Sequence, residues 1–212
     1  MNGQMIKRLF DILFALLVSI FCIPVVVVGI VFVKLISPGS PALFKQKRVG
    51  RNGRLFTIYK LRSMTNECDG QGKLLPDEIR LKPWGKLIRG SNIDELPQIL
   101  NILKGEMSWI GPRPLLPHEM DVMTNDEQEL RQSVFPGISG WEAVNERYSE
   151  TRRQMIDFDL FYVRNWSLRF DIKIFFMTAF IVLLKLRPGD SGRAPKILEE
   201  ELVYREKDIR CK

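Results

Sequence analysis

Asp94 and Glu95 stand side by side in a chain that offers few other groups for catalysis. The single histidine, His118, follows Pro117 on an expected loop, with no Ser or Cys nucleophile motif beside it. No Walker loop, dinucleotide fingerprint or HExxH pair occurs. Chemistry therefore has to come from carboxylates and cations. Asn92 and Glu95 have capping-box spacing, which predicts a helix from Asn92 through Leu103 with Gly105 as its stop. Both acids then sit in its first turn, preceded by Arg89, where exposed amides and the positive helix end keep carboxylates ionised and favour a phosphate nearby. Acids in a first turn are also ordinary caps, and the pair by itself fits either role.

The company these acids keep is more informative. Gly111-Pro112-Arg113-Pro114 sets a guanidinium between two prolines, where a stiff backbone can aim its planar fork at a phosphate. Lys60, Arg62, Arg89 and Arg113 with Asp94 and Glu95 make up the set that phosphoryl transfer needs. Cations neutralise the substrate, one carboxylate holds a divalent ion, and another attacks phosphorus.

Elements that could position these residues are readable along the chain. Ala42 to Arg48 and Arg54 to Leu61 read as two strands around the Asn-Gly-containing turn Val49-Gly50-Arg51-Asn52-Gly53, a hairpin. Pro83 to Arg89 reads as a short helix opening at its proline. Thr124 and Glu127 repeat the capping-box spacing at the start of a helix through about Gln132, closed by Pro136-Gly137.

Charge and hydropathy are unevenly distributed. The chain of 212 residues carries +7, with a mean hydropathy too low for several membrane spans. Between Lys34 and Arg89 there are 13 Lys or Arg against 4 Asp or Glu, so this block carries +9 and the remainder −2. Directly before it, Ile12 to Val33 is a run of 22 residues without a charge, nominally long enough to cross a hydrocarbon core as one helix. Pro24 predicts a kink or break near Ile23, giving halves of about 18 Å and 14 Å, neither of which spans alone. Lys7 and Arg8 precede the run and Lys34, Lys45, Lys47 and Arg48 follow it. Cations at both ends fit a helix that enters and returns on one face, and a kinked single-span anchor fits the same residues. A cluster of cations beside such a segment is drawn to anionic headgroups, and a nucleic-acid surface has a similar composition.

A second apolar stretch, Asp171 to Leu186, has a charge-free core from Ile174 to Leu184 that is too short to span, so it packs inside the protein or lies at the interface. The tail from Arg187, with Glu199-Glu200-Glu201, reads as a surface helix or a partly disordered segment. Cys22, Cys68 and Cys211 are odd in number and lack paired spacing, which supports neither a zinc cluster nor a disulfide framework and fits a reducing compartment.

The chain resembles the bacterial sugar transferases, the monotopic phosphoglycosyl transferases in their small form. The resemblance rests on Lys7-Arg8, Asp11, Gln46-Lys47-Arg48-Val49-Gly50, Tyr59-Lys60-Leu61-Arg62-Ser63-Met64, Arg89 and Asp94-Glu95-Leu96-Pro97-Gln98. It continues through Lys104-Gly105-Glu106-Met107-Ser108, Gly111-Pro112-Arg113-Pro114, Pro136-Gly137-Ile138-Ser139-Gly140-Trp141, Asp159 with Tyr162, and Asp171. It implies transfer of a sugar 1-phosphate from a UDP-sugar to polyprenyl phosphate, giving polyprenyl diphosphate sugar and UMP, the first step of glycoconjugate assembly. It implies Asp94 as nucleophile, Glu95 beside it, Mg2+ held near Asp94 and Glu95, and substrate contacts from Lys60, Arg62, Arg89, Arg113 and Arg147. It further implies inner-membrane lipids as partners, no nucleic acid, and a monotopic place on the cytoplasmic face of the bacterial inner membrane.

The fold expected on these grounds is α+β, mainly helical with a small β-hairpin, one N-terminal Pro-broken re-entrant membrane helix and interfacial amphipathic helices. The expected division is residues 1–36 for the membrane helix, 37–186 for the catalytic domain and 187–212 for a tail. Three positions depart from the family pattern. Ile23 stands where a serine often precedes the proline, Phe135 replaces a cation common before Pro136-Gly137, and Trp141-Glu142-Ala143-Val144-Asn145-Glu146-Arg147 differs from the usual Trp-Ala-Gln-Val-Asn-Gly-Arg. The competing class, a non-catalytic membrane adaptor, leaves the acids and the Pro-flanked arginine unexplained.

Overall fold

The computed structural model describes residues 3–145 and 151–185. Its first element, α1, is one helix over Gly3–Ile36, about 51 Å long at 1.5 Å per residue. Pro24 lies inside α1 on the exposed side and the helix continues through it, so of the kink or break expected near Ile23 the chain shows no break. A proline withholds a single amide donor, and the bonds on either side close the ladder around it.

One face of α1 packs along its length on the rest of the protein. Ala15 joins Phe56, Ile58, Ile99, Ile102 and Met107 in a core cluster, and eighteen residues later Val33 joins Ala42 and Ile88 in another. The opposite face, including Leu9, Leu13, Leu16, Ile20, Val27, Val28, Val31 and Leu35, is exposed and apolar, with the exposed Lys34 in the last turn. Charged residues near the start of α1 turn inward. Arg8 donates to the carbonyls of Met107 and Ile102 at 3.0 and 2.5 Å, and Asp11 accepts from the Trp109 amide at 3.3 Å.

Strands β1 (Leu43–Val49) and β2 (Leu55–Leu61) form the expected antiparallel hairpin, with Asn52 and Gly53 at positive φ in its turn. Register pairs Phe44 with Lys60, Gln46 with Ile58 and Arg48 with Phe56, so these six share the inward face. The short helix α2 (Asp77–Arg80) follows, and then α3 (Pro83–Gly90), which opens at its proline as the sequence predicts. Gly85 lets α3 dock directly on backbone, because a Cβ there would lie 1.9 Å from the Ser63 carbonyl oxygen.

The segment carrying the acid pair differs from expectation. Ile93–Gln98 is a 3₁₀ turn, and α4 covers only Ile99–Lys104. Asn92 adopts the left-handed conformation, φ 57°, and its side chain makes no cap bond, so the capping box with Glu95 is not formed. Asn tolerates that conformation, and Pro97 within the turn has no amide for an α-helical bond. Gly105 ends α4 at φ 84°, as predicted.

Beyond it, β3 (Ser108–Ile110) and β4 (Gly137–Ser139) make a short parallel pair that the sequence reading lacked. The chain between them contains a 3₁₀ turn, Pro117–Val122, and α5 (Asn125–Gln132), capped reciprocally by Thr124 and Glu127 as read from the sequence. Helices α6 (Trp141–Asn145), α7 (Arg152–Arg164) and α8 (Leu168–Lys185) complete the described chain. On α8, Ile174 is buried against Ile110, Val144 and Tyr162, while Ile172, Phe176, Phe180 and Leu183 form an exposed apolar stripe. The helix is thus apolar on both faces rather than amphipathic. The architecture is mainly helical with small sheets and one long apolar N-terminal helix. The expected tail, 187–212, lies outside the described residues, as does Cys211.

Further contacts tie α1 to the remainder. Lys7 donates to Asp171 at 2.6 Å and to the Ile110 carbonyl at 2.9 Å, and Tyr162 donates to the other oxygen of Asp171 at 2.6 Å. Phe135 stacks against two guanidinium groups, Arg8 at 5.5 Å and Arg51 at 4.8 Å from the ring centre. A cation at that position would meet two others, which accounts for the aromatic residue here.

Candidate active site

Strand β2 ends at Leu61, and alternation along it turns Lys60 inward beside the turn that carries the acids. Lys60 Nζ donates to Glu95 Oε1 at 2.6 Å. Asp94 is 9% exposed, and burial together with the neighbouring Glu95 charge raises its pKa to about 6, against the pull of Lys60 and Arg89. Arg89, on the last turn of α3, donates to Ser63 Oγ at 2.9 Å, which fixes it next to Asp94. Lys60, Arg89, Asp94 and Glu95 are therefore one cluster.

Lys60, Glu95 and Arg113 line one cleft of about 320 Å3, and Asp94, next to Glu95 in the chain, is not among its lining residues. Its floor is a backbone contact between the Gly111-Pro112 and Gly137–Gly140 segments. Gly111 N donates to Ser139 O and Gly137 N to Pro112 O, both at 2.9 Å, and a Cβ on Gly140 would lie 2.2 Å from Gly111 O. Only glycine admits this approach, which fixes the segment leading into Arg113.

Behind Arg113 lies a second layer of charge. Arg131 donates to Asp159 in a pair 4% exposed on each side, and it also donates to the Arg113 carbonyl. Arg48 donates to the Pro114 carbonyl at 3.1 Å, the Val49 amide to Leu115 O at 2.9 Å, and the Leu116 amide to Glu119 at 2.5 Å. Glu119 is held further by Arg152 at 2.7 Å. Burial alone pushes the Glu119 carboxyl up, but Arg152, the Leu116 amide and Arg48 outweigh it and keep it below the usual range. Four consecutive residues, 113–116, thus have a backbone group fixed by a partner from elsewhere in the chain, and the strap bearing Arg113 is rigid.

The remaining expected site residues fall elsewhere. Arg62 turns away from the cleft and donates to the Pro41 carbonyl and to Asn66, both at 2.6 Å. Strand alternation would have kept it on the Lys60 side, but β2 stops one residue before it. Arg147 lies outside the described residues. Two cleft residues were not assigned a role from sequence: Arg48, whose inward position follows from alternation with Phe44 and Gln46, and Glu142, 3% exposed on α6.

The donor set is compatible with Mg2+. Among the described residues no cluster of three or more His, Cys, Asp or Glu forms a metal cage. Asp94 and Glu95 offer the one or two carboxylates that Mg2+ takes from protein when phosphates and water complete its shell.

Comparison with known proteins agrees with this chemistry. The family model described as bacterial sugar transferase matches residues 2–185. The chain is 44% identical over 181 residues to the uncharacterized sugar transferase EpsL of Bacillus subtilis, covering 85% of this chain and 89% of that protein. It is 38% identical over 196 residues to the galactosyl transferase CpsE of Streptococcus agalactiae, covering 84% and 42%. It is also 38% identical over 187 residues to the UDP-glucose:undecaprenyl-phosphate glucose-1-phosphate transferase of Escherichia coli, covering 84% and 40%. The chain spans about two fifths of the length of these last two relatives.

Proposed function

The chain belongs to the bacterial sugar transferases, and from that premise we propose that it moves a sugar 1-phosphate from a UDP-sugar to polyprenyl phosphate through an aspartyl phosphosugar intermediate. As a transferase of phosphosugar groups it leaves no place for a non-catalytic adaptor. The observation that carries the reading is a desolvated carboxylate, Asp94, set against Lys60 and Arg89 beside a cleft that Lys60, Glu95 and Arg113 line.

In the first half-reaction an Asp94 oxygen forms a bond to the sugar-bearing phosphorus as the bond from that phosphorus to the UMP oxygen breaks, the electron pair leaving with UMP. No proton moves, since a carboxylate needs no base. In the second, a phosphate oxygen of the polyprenyl phosphate attacks the same phosphorus, the acyl–phosphorus bond breaks, and the Asp94 carboxylate is restored. Lys60 and Arg113 balance the diphosphate charge, and Arg89 orients Asp94. Lys60 also holds Glu95, which keeps a second negative charge from swinging toward the nucleophile. Asp94 and Glu95 would hold Mg2+, which when bound neutralises phosphate charge.

The setting follows from α1. A helix whose two halves both pack on one body, with an apolar outer face, supports a re-entrant or surface-lying segment on the cytoplasmic side of the inner membrane. The decisive experiment supplies UDP-sugars, Mg2+ and undecaprenyl phosphate. UMP release and an Asp94-linked phosphosugar by mass spectrometry are expected for the native protein and neither for Asp94→Asn. UMP release by that variant at the native rate would remove Asp94 as nucleophile.

A further inference from the structure

The lining of the cleft is of two chemical kinds: Lys60, Glu95 and Arg113 are charged, while Val18 of α1, Trp109 of β3, and Ile181 and Val182 of α8 are apolar. The two helices meet at Lys7 and Asp171 and again where Phe14 contacts Phe175 edge to face at 5.5 Å. One turn further along α1, and nearly two along α8, they frame the cleft instead. The neighbours of these wall residues face outward: Leu17 and Phe21 on α1 and Phe180 and Leu183 on α8 are exposed, in line with the apolar outer faces of both helices. Ser139 Oγ and Thr178 Oγ1 hydrogen-bond to each other at 2.6 Å where α8 meets the cleft floor, so these hydroxyls are satisfied at the apolar side.

We infer that the gap between α1 and α8 is a lateral port through which an isoprenoid phosphate slides from the bilayer, its chain against Val18, Ile181 and Val182 and its phosphate toward Lys60 and Arg113. The complementarity is of apolar and cationic lining within one cleft, a match for a ligand with an anionic head on an uncharged chain. A soluble donor carries no such chain and has no need of this wall, so the port serves the second half-reaction alone. The inference rests on the transferase reading above.

The test separates the two half-reactions. Val18→Trp and Ile181→Trp fill the port, and Phe21→Trp places the same indole on the outer face of α1. Each full-length protein is charged with UDP-sugar, and the phosphosugar adduct is measured by intact mass. Discharge is then followed with undecaprenyl phosphate in bilayer nanodiscs and with a short, water-soluble prenyl phosphate. The port variants are expected to charge normally, to discharge to the long acceptor at least ~10-fold more slowly, and to lose less than ~3-fold with the short one; Phe21→Trp is expected to match the native protein in both. Equal loss with both acceptors, or loss of charging in the port variants, overturns the port. Unimpaired discharge to both assigns the gap to bulk phospholipid and overturns it equally. Absence of charging in the native protein instead refutes the transferase reading, and the port with it.

Discussion

Arg131 reaches from α5 to the backbone carbonyl of Arg113 while its guanidinium is held by the buried Asp159 carboxylate. The backbone of the arginine proposed to bind phosphate is thus held by a second arginine. Burial pushes the Asp159 carboxyl up and Arg131 opposes the shift, so the pair stands or falls together. Asp159→Asn leaves a guanidinium buried without its counter-charge and is expected to cost about 3–5 kcal/mol, read as a fall in Tm. Arg131→Lys, which keeps the charge and loses the fork, is expected to fall less and to raise donor KM more than it lowers kcat.

Asp94 is expected to be a residue whose function costs stability. Its pKa of about 6 in the folded state lies above the ordinary 3.8, so folding favours the protonated form. That contribution is complete below pH 4 and is lost as pH rises through 6; ionisation at pH 7 costs on the order of 3 kcal/mol. In chelator-treated protein, Tm should fall between pH 5 and 7.5. Asp94→Asn should abolish the fall and melt higher at pH 7.5 while transferring nothing, and a variant with the native pH profile of Tm would contradict the assignment.

Lys60 should behave in the opposite way. Its pair with Glu95 is partly exposed, with the two side chains 26% and 34% accessible, so its share of stability is below about 1 kcal/mol. Yet Lys60 lines the cleft proposed to take the phosphates. Lys60→Met is expected to leave Tm nearly unchanged and to slow charging by roughly 10- to 100-fold. A large loss of Tm with unchanged charging would reverse this ranking.

Gly140 has no room to vary. A Cβ there would strike the Gly111 carbonyl oxygen, and relief would push apart the segments that hold Arg113 at the cleft. Gly140→Ala is therefore expected to lower both Tm and the rate of charging, the latter by at least ~10-fold. Gly39, where a Cβ meets no atom within 4 Å, is the neutral comparison, and Gly39→Ala should match the native protein in both measurements.

What was legible in the sequence was local. The hairpin, the Pro83 start of α3, the Thr124–Glu127 cap and the Gly105 stop each depend on residues a few positions apart, and each formed as read. Asn92 misled because its side chain is equally suited to capping and to the left-handed backbone, and Pro97 decided for a 3₁₀ turn. Arg62 was grouped with Lys60 by charge and resemblance, and in the structure it follows the end of β2 and bonds the Pro41 carbonyl and Asn66. The layer behind Arg113 was illegible for a different reason: Arg131 meets Asp159 across 28 positions and Arg48 meets Glu119 across 71, and no spacing rule connects them. Arg48 alone left a trace, as an inward position on an alternating strand.

The last prediction concerns the side of the membrane on which α1 begins and ends. Lys7, Arg8 and Asp11 near its start bond to residues of β3 and α8 and to carbonyls flanking Gly105, and Val33 near its end packs on Ala42 and Ile88. A helix that crossed a hydrocarbon core of roughly 30 Å would have to carry one of these contact sets to the far side, with Arg8 and Asp11 stripped of their partners. The outer face of α1 is apolar enough to enter lipid while the inner face stays on the protein. Gln4→Cys and Gly39→Cys, each in an otherwise cysteine-free chain, are therefore expected to react with a membrane-impermeant maleimide from the cytoplasmic side in inverted vesicles and from neither position in intact spheroplasts. Labelling of the two from opposite sides would make α1 a spanning anchor and leave the chemistry of Asp94 untouched.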